Sequence, residues 1–312
     1  MSENSKIEWT DHTFNPWEGC QKVGPGCDHC YAEARNSRFA GGTPINWGPG
    51  APRRRTSAVN WRKPLQWNAG HAEFFAAHGR RQRVFCASLA DVFDNAVPNA
   101  WRADLFDLIW NTPHIDWLLL TKRIGNAGPM IGRALELAGR GVNTPWPWSN
   151  VWLGATIVNQ EEADRDIPKL LATPARVRFL SMEPLLGPVD LNHDWLSGEY
   201  FGHADDCGDD LCALNGDIHS CAGQLFPQPR VDWVIVGGDA RPMRPSWPRA
   251  LRDQCAAARV PFLFKQWGEW LPDDQNPAMT GPRDLSGAIR IGKRAAGRKL
   301  DGRTHDEFPE VA

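Results

Sequence analysis

The order of apolar and polar segments predicts an α/β protein: a partial parallel barrel of the TIM type, (β/α)6-7, carrying a Cys/His-rich metal-binding insert. Three observations carry that expectation. Short apolar, β-rich runs recur along the chain, helix-compatible stretches separate several of them, and nearly every run stops on a polar cluster. Such alternation is the pattern of repeated βαβ units.

The runs are Arg83 to Ala87, Asp116 to Leu120, Val151 to Ala155, Val177 to Leu180, Val231 to Val236 and Pro261 to Phe264. Continuous apolar runs of this length suit strands buried on both faces of a parallel sheet. Helices are expected over Ala100 to Asn111, Gln160 to Ala172 and Ser246 to Ala258. A doubly wound sheet also satisfies the alternation, and the placement of polar residues separates the two. The runs end on Ser88 with Asp91, Thr121-Lys122-Arg123, Thr156 with Asn159, Ser181 with Glu183, Gly237-Gly238-Asp239 and Lys265-Gln266-Trp267. In a parallel barrel the C-terminal strand ends converge on one mouth, so these clusters would line one site.

Two segments break the rhythm. Residues Gly41 to Arg55, rich in Gly, Pro and Arg, read as a loop or flap. Residues Leu191 to Arg230 interrupt two barrel units with a stretch too short and polar for a core of its own. From Leu271 the chain is polar and Gly-rich and reads as an irregular surface tail, giving a barrel over 1–270 with the insert at 191–230, and a tail over 271–312. Without the N-terminal loop, insert and tail, the remaining chain is about enough for six or seven βα units.

The 312 residues, 42% hydrophobic and 23% charged, exclude a wholly disordered or collagen-like chain. A net charge of −2 advertises no nucleic-acid coat, although a local basic groove is compatible with it. Met1 to Thr10 lacks the apolar stretch of a secretory signal, and no apolar run reaches about 18 residues, so a cytoplasmic protein without a membrane span is expected. In that reducing compartment clustered cysteines serve as metal ligands or catalytic groups more often than as disulfides.

The 8 cysteines are unevenly spaced. Cys20, Cys27 and Cys30 form a C-x6-C-x2-C loop in GCQKVGPGCDHCYAE, with Gly24, Pro25 and Gly26 bending the chain between the first two thiols. Three sulfurs around one centre favour zinc or an iron–sulfur cluster. A fourth ligand from Asp11, His12 or His29 would close a structural zinc site, whereas three ligands leave a position open for chemistry. Cys86, in mid-strand, and Cys255, on a helix face, read as small core residues.

A three-cysteine loop followed directly by an aromatic residue, Tyr31, and placed before a series of βα units resembles the radical S-adenosylmethionine superfamily. Its commonest spacing, C-x3-C-x2-C, is three residues shorter than the one here. The closer resemblance is to an uncharacterised phage- and prophage-associated three-cysteine family. It rests on FNPWEGCQKVGPGCDHCYAE, RVFCASLADVF, LLLTKR, VWLGATIVNQ, VRFLSMEPLLGPV, VDWVIVGGDARPMRP and PFLFKQWGEW, from about Trp9 to Trp270.

The resemblance implies a [4Fe-4S] cluster on Cys20, Cys27 and Cys30, and S-adenosylmethionine on the open iron. Tyr31 would then pack near the adenine, and Ser88 and Lys122, at the ends of the second and third strands, would meet the methionine carboxylate. Arg123, Asn159 and Ser181 could contact the carboxylate or ribose, and Gly237-Gly238 could admit the cofactor to the backbone or simply form a turn. Asp91, Glu183, Asp239, Lys265 and Gln266 would be left for the substrate, with an ion pair to Arg178 or Lys122 as the alternative for Glu183. An electron donor such as flavodoxin or ferredoxin would be a partner.

Residues 203 to 221 add His203, Cys207, Cys212, His219 and Cys221. Mixed Cys and His ligands favour tetrahedral zinc on Cys207, Cys212 and Cys221 with one histidine, His219 in the preferred set. An auxiliary iron–sulfur cluster on the same thiols, or an acidic loop without metal, stays open. The phage-linked resemblance, tryptophans and Arg53-Arg54-Arg55, Arg80-Arg81 and Lys293-Arg294 suggest a nucleotide, DNA or RNA substrate. The alternatives are a zinc-stabilised nucleic-acid-binding protein without catalysis, and radical chemistry on a peptide or small metabolite.

Overall fold

Seven strands lie in one sheet in the order in which the chain makes them, each parallel to its neighbour. They are β1 (His12–Phe14), β2 (Gln82–Cys86), β3 (Ile115–Thr121), β4 (Val151–Thr156), β5 (Val177–Met182), β6 (Trp233–Gly237) and β7 (Phe262–Gln266). In the computed structural model, which describes residues 3–141, 144–201, 225–276, 278 and 280–310, this sheet is an α/β half-barrel. All six apolar runs become strands. The first strand is not among them, because three residues reading HTF are too few to show a pattern.

Between β1 and β2 stand α1 (Tyr31–Phe39), α2 (Ala58–Ala69) and α3 (His71–His78). Then come α4 (Asn99–Trp110), α5 (Ile124–Leu137), α6 (Gln160–Ala172), α7 (His193–Ser197), α8 (Ser246–Ala258) and α9 (Lys293–Ala296). The three expected helices appear as α4, α6 and α8, within a residue of the boundaries read from the sequence. α5 has no such signal, since Gly125, Gly128, Gly132 and Pro129 lower its helix propensity. It forms because Ile124, Ala127, Ile131, Ala134 and Leu135 make one buried stripe against the sheet.

Successive residues of a strand face opposite sides, and the two sides hold separate cores. Against the helices pack Val84, Cys86, Trp117, Leu119, Leu153, Leu180, Val234, Val236 and Phe264. Cys255 joins this layer from α8, so Cys86 and Cys255 are both core thiols, as expected. The inner face is aromatic: Trp9, Phe85, Trp152, Phe179 and Trp233 pack with Leu118, Ile235 and Leu263. Gly154 makes this possible, because a Cβ there would fall 2.3 Å from the Phe179 ring.

Residues 41–53 form no regular element, and Arg54–Arg55 pairs antiparallel with Trp17–Glu18. In the insert, α7 leads to an antiparallel pair of Glu199–Phe201 with Leu225–Pro227. Cys207, Cys212, His219 and Cys221, the expected zinc set, lie outside the described residues. The segment after Leu271 is more ordered than its composition suggests. Trp270–Pro272 pairs with Ala288–Arg290, and Ala288, Ile289, Ala296 and Leu300 are buried. Among the described residues no helix is long and apolar enough to cross a membrane.

Candidate functional site

Because every strand of the sheet points the same way, the loops that follow them meet at one end. There they border a cavity of about 640 Å³. Its wall takes Ser88 and Asp91 from the loop after β2, Thr121, Lys122 and Arg123 from β3, and Thr156 from β4. Ser181 and Glu183 come from β5, Gly238 and Asp239 from the loop after β6, and Lys265 and Gln266 from β7. Cys20, Cys27, Cys30 and Tyr31 border the same cavity, with Cys20 Sγ 3.5 Å from Arg123 and the Tyr31 hydroxyl on the Ser88 carbonyl, and Trp9, Phe85 and Leu120 are apolar lining. Residues separated by more than 240 positions in the chain thus share one space.

The cysteine loop is fastened at several points. Gly48 N–H donates to the Cys20 carbonyl at 2.9 Å, tying the Gly41–Arg55 loop to it. Cys27 ends a short 3-10 turn over Pro25–Cys27, and Cys30 occupies the position before α1. Burial pushes the Cys20 thiol up to about 11, with Asp91 adding to the rise and Arg123 opposing it. Arg241 donates to the Pro25 carbonyl at 3.1 Å while a two-nitrogen contact, with its shortest distance 2.6 Å, holds it on Asp239. Asp239 therefore straps the β6 loop to the cysteine loop.

Ser88 is held from two sides. Asn15 Nδ2 donates to its Oγ at 3.0 Å, and the Tyr31 hydroxyl donates to its carbonyl at 2.5 Å. Lys122 Nζ reaches Thr156 Oγ1 at 3.4 Å and has no ion pair among the described residues, so its charge is available to an anion in the cavity. Asp91 is fully engaged. Its carboxylate accepts from Thr121 Oγ1 at 2.8 Å, Phe93 N–H at 2.9 Å, Lys122 N–H at 3.1 Å and Arg123 at 3.4 Å. It fixes the loops after β2 and β3 to each other.

Glu183 pairs with Lys265, at 2.9 and 2.7 Å, and not with Arg178 or Lys122. Gln266 Nε2 donates to the same carboxylate at 2.7 Å and to the Gly238 carbonyl at 3.2 Å, while its buried Oε1 has no hydrogen-bond partner among the described residues. These acceptors fix the amide orientation. Gly237 packs beneath Glu183, where a Cβ would sit 3.3 Å from the carboxylate carbon. At Gly238 a Cβ would fall 2.1 Å from the Trp267 carbonyl, so its glycine permits two loops to cross.

Asn159 and Gly237 are the expected site residues that the fold keeps off the cavity wall, Gly237 beneath Glu183 and Asn159 at the start of α6. Asn159 Oδ1 accepts from Glu162 N–H at 2.9 Å and caps that helix. The arginine triplet is also committed. Arg53 is buried against Asp94 at 2.7 Å, Arg54 pairs with Glu18, and Arg55 pairs with Asp104 at 2.6 Å and covers the Trp61 ring. Arg80 is held by Asp11 at 2.7 Å. Conversely, Asn15, Trp9, Glu269 and Lys293 contribute to the site without having drawn attention as cavity residues. Asn15 could have been found only from the strand preceding it, and Lys293 only from knowing that the C-terminal segment returns to the mouth.

Whether the residues fit an iron–sulfur cluster turns on the donors. Three thiols and no disulfide border one space, with His29 beside them, and thiolates are the ligands such clusters use. The donor chemistry therefore fits. As the side chains stand, no three Cys, His, Asp or Glu groups among the described residues are gathered as a metal site.

The model of a family described as proteins of unknown function, DUF5131, matches residues 4–309. No curated protein and no solved structure matches the chain.

Proposed function

The chain belongs to the DUF5131 family, and we propose that it is a radical S-adenosylmethionine enzyme that modifies or isomerises a nucleotide or nucleic-acid substrate. The observation that carries this reading is the shared cavity: three thiols of one short loop border the same space as the strand-end residues Ser88, Lys122, Glu183 and Lys265. In this reading the half-barrel is a partial TIM-type barrel, and the insert holds zinc on Cys207, Cys212, Cys221 and His219.

Cys20, Cys27 and Cys30 would hold a [4Fe-4S] cluster, which with S-adenosylmethionine supplies a 5′-deoxyadenosyl radical able to remove a hydrogen atom from an unactivated carbon. Lys122, without an ion pair among the described residues, offers its ammonium to the methionine carboxylate, and the Ser88 hydroxyl, steadied by Asn15, borders the same cavity. Tyr31 borders the space where an adenine would lie. Trp9, Phe85 and Leu120 keep water from the apolar side, which protects a reactive intermediate from quenching. Glu183, held by Lys265 and Gln266, presents a fixed carboxylate to the substrate, and Lys293, which makes no ion pair among the described residues, borders the same cavity. Two ammoniums without an ion pair among the described residues, Lys122 and Lys293, and aromatic walls suit a substrate with phosphate and a base. The commitment of Arg53, Arg54 and Arg55 to carboxylates moves this expectation from the basic triplet to the cavity itself.

Anaerobic purification followed by iron, sulfide and zinc analysis, reduction, and assay for 5′-deoxyadenosine tests the class. About four irons per chain and cleavage of S-adenosylmethionine after reduction by flavodoxin or ferredoxin are expected. Cys27→Ala should abolish both, while Cys86→Ala should retain the cluster. Protein that carries zinc alone at the first loop after anaerobic reconstitution overturns the reading in favour of a zinc-stabilised binding protein. Absence of nucleotide or DNA binding at low salt, with S-adenosylmethionine cleavage intact, moves the substrate to a peptide or small metabolite.

A further inference from the structure

We infer that Arg123 is a positioning residue for the first cysteine loop, donating a charged hydrogen bond to the Cys20 sulfur that sets its electron density when the loop holds iron. The inference rests on the reading of that loop as an iron–sulfur site. Similarity placed Arg123 against the carboxylate or ribose of S-adenosylmethionine; the geometry turns it toward the protein. One terminal nitrogen lies 3.5 Å from Cys20 Sγ and 3.4 Å from Asp91 Oδ2, and the other donates to the Gln21 carbonyl at 2.9 Å. The side chain is 9% exposed, and Asp94 stands 4.0 Å from its second nitrogen. A buried guanidinium is stable only when paired and hydrogen-bonded, so these contacts fix its position.

The sequence explains how it gets there. Arg123 follows directly on β3, and Thr121 Oγ1 accepts its backbone N–H at 2.8 Å while donating to Asp91. Thr121 and Asp91 thus fix both the backbone and the guanidinium. The contact is also selective: among the described residues neither Cys27 nor Cys30 has a hydrogen bond at sulfur. An N–H donated to a ligating sulfur withdraws electron density and stabilises the reduced, more negative state. Arg123 would raise the midpoint potential through Cys20 alone.

The test uses the full chain with Arg123→Met and Arg123→Lys beside the parent, each reconstituted anaerobically. Its readouts are iron content, thermal melting, and a redox titration followed by electron paramagnetic resonance. Asp91 and Asp94 keep Thr121, Arg53 and backbone donors when Arg123 is replaced, so the variants should fold. At the potential where half the parent is reduced, the ratio of reduced to oxidised cluster in Arg123→Met should be about tenfold smaller, a midpoint about 59 mV lower for a one-electron couple, with Arg123→Lys between. A purely structural role would lower the melting temperature and leave the midpoint in place. A loaded Arg123→Met with the parent's midpoint overturns the inference and leaves the radical reading standing. If that variant takes up no iron, a loaded Arg123→Lys at the parent's midpoint overturns it equally. A parent chain that loads no iron removes the inference and the reading together.

Discussion

Asp116 lies on β3 beside Arg83 of β2, near the end of the sheet away from the cavity, and burial raises its carboxyl to about 6 despite Arg81 and Arg83 nearby. Arg83 is the counterpart: burial lowers it to about 10, and its guanidinium lies 4.0 Å from the Phe308 ring centroid. A carboxyl whose folded value lies above its ordinary 3.8 holds its proton longer in the folded chain than in the unfolded one. Below pH 4 both states are protonated and nothing is lost. As pH rises from about 4 to 6 the unfolded chain releases its proton first, so the folded state loses on the order of 3 kcal/mol, and above 6 the loss is constant. Asp116→Asn removes this dependence. Urea unfolding at pH 4, 5, 6 and 7 should show the variant gaining on the parent across that window and staying about 1–3 kcal/mol ahead at pH 7. Parallel profiles would show that Asp116 ionises in the fold as readily as in the open chain.

At the scale of one element, α6 shows how a residue with site chemistry can belong to a helix instead. Asn159 caps it through Glu162 N–H, and Glu162 Oε2 returns a contact to Val158 N–H at 3.1 Å. Asn159→Ala should therefore cost about 1 kcal/mol of stability and leave S-adenosylmethionine affinity unchanged, whereas Asn159→Asp should keep both. A melt matched to the parent with weakened cofactor binding would return Asn159 to the site. This is where the sequence was least legible: Asn159 follows the polar end of β4 just as Lys122 follows β3, and only the start of the next helix separates their roles. The six strands β2 to β7 were readable because burial on both faces forces continuous apolar runs, as in Asp116 to Leu120. β1 was not, and with it went Asn15, whose work on Ser88 depends on where that strand ends. α5 was hidden by its glycines. The convergence of Ser88, Lys122, Ser181, Glu183 and Lys265 was readable because parallel topology alone brings strand ends together.

For the whole molecule, the C-terminal segment completes what the open sheet leaves exposed. An open half-barrel has two edges, and an unpaired edge strand invites association. Here His305 O accepts from Phe264 N–H at 3.0 Å, Leu263 bridges Asp306, and the Glu307 carbonyl accepts from Trp233 Nε1 at 2.8 Å. Phe308 then packs on Trp233, at 5.0 Å between ring centroids, and joins the inner aromatic core. Leu300 is fully buried, and Asp301 binds Arg249 and Arg252 of α8 and Gln275, so the return path is pinned along its length. Its Gly-rich composition hid this, because its buried residues follow neither a helical nor a strand period. A chain ending at residue 298 loses Leu300, Phe308 and the cover of β7. The two apolar side chains are worth about 3–5 kcal/mol, a large share of the roughly 5–15 kcal/mol that holds a domain folded. The shortened chain should unfold at lower urea and elute partly as oligomers through its bared edge. Phe308→Ala, which opens the inner core but keeps the edge covered, should lower the urea midpoint by less and remain in the parent's state of association. Equal loss in both variants would place the contribution in the aromatic core, and an unchanged midpoint in the shortened chain would show that the half-barrel stands without its C-terminal cover.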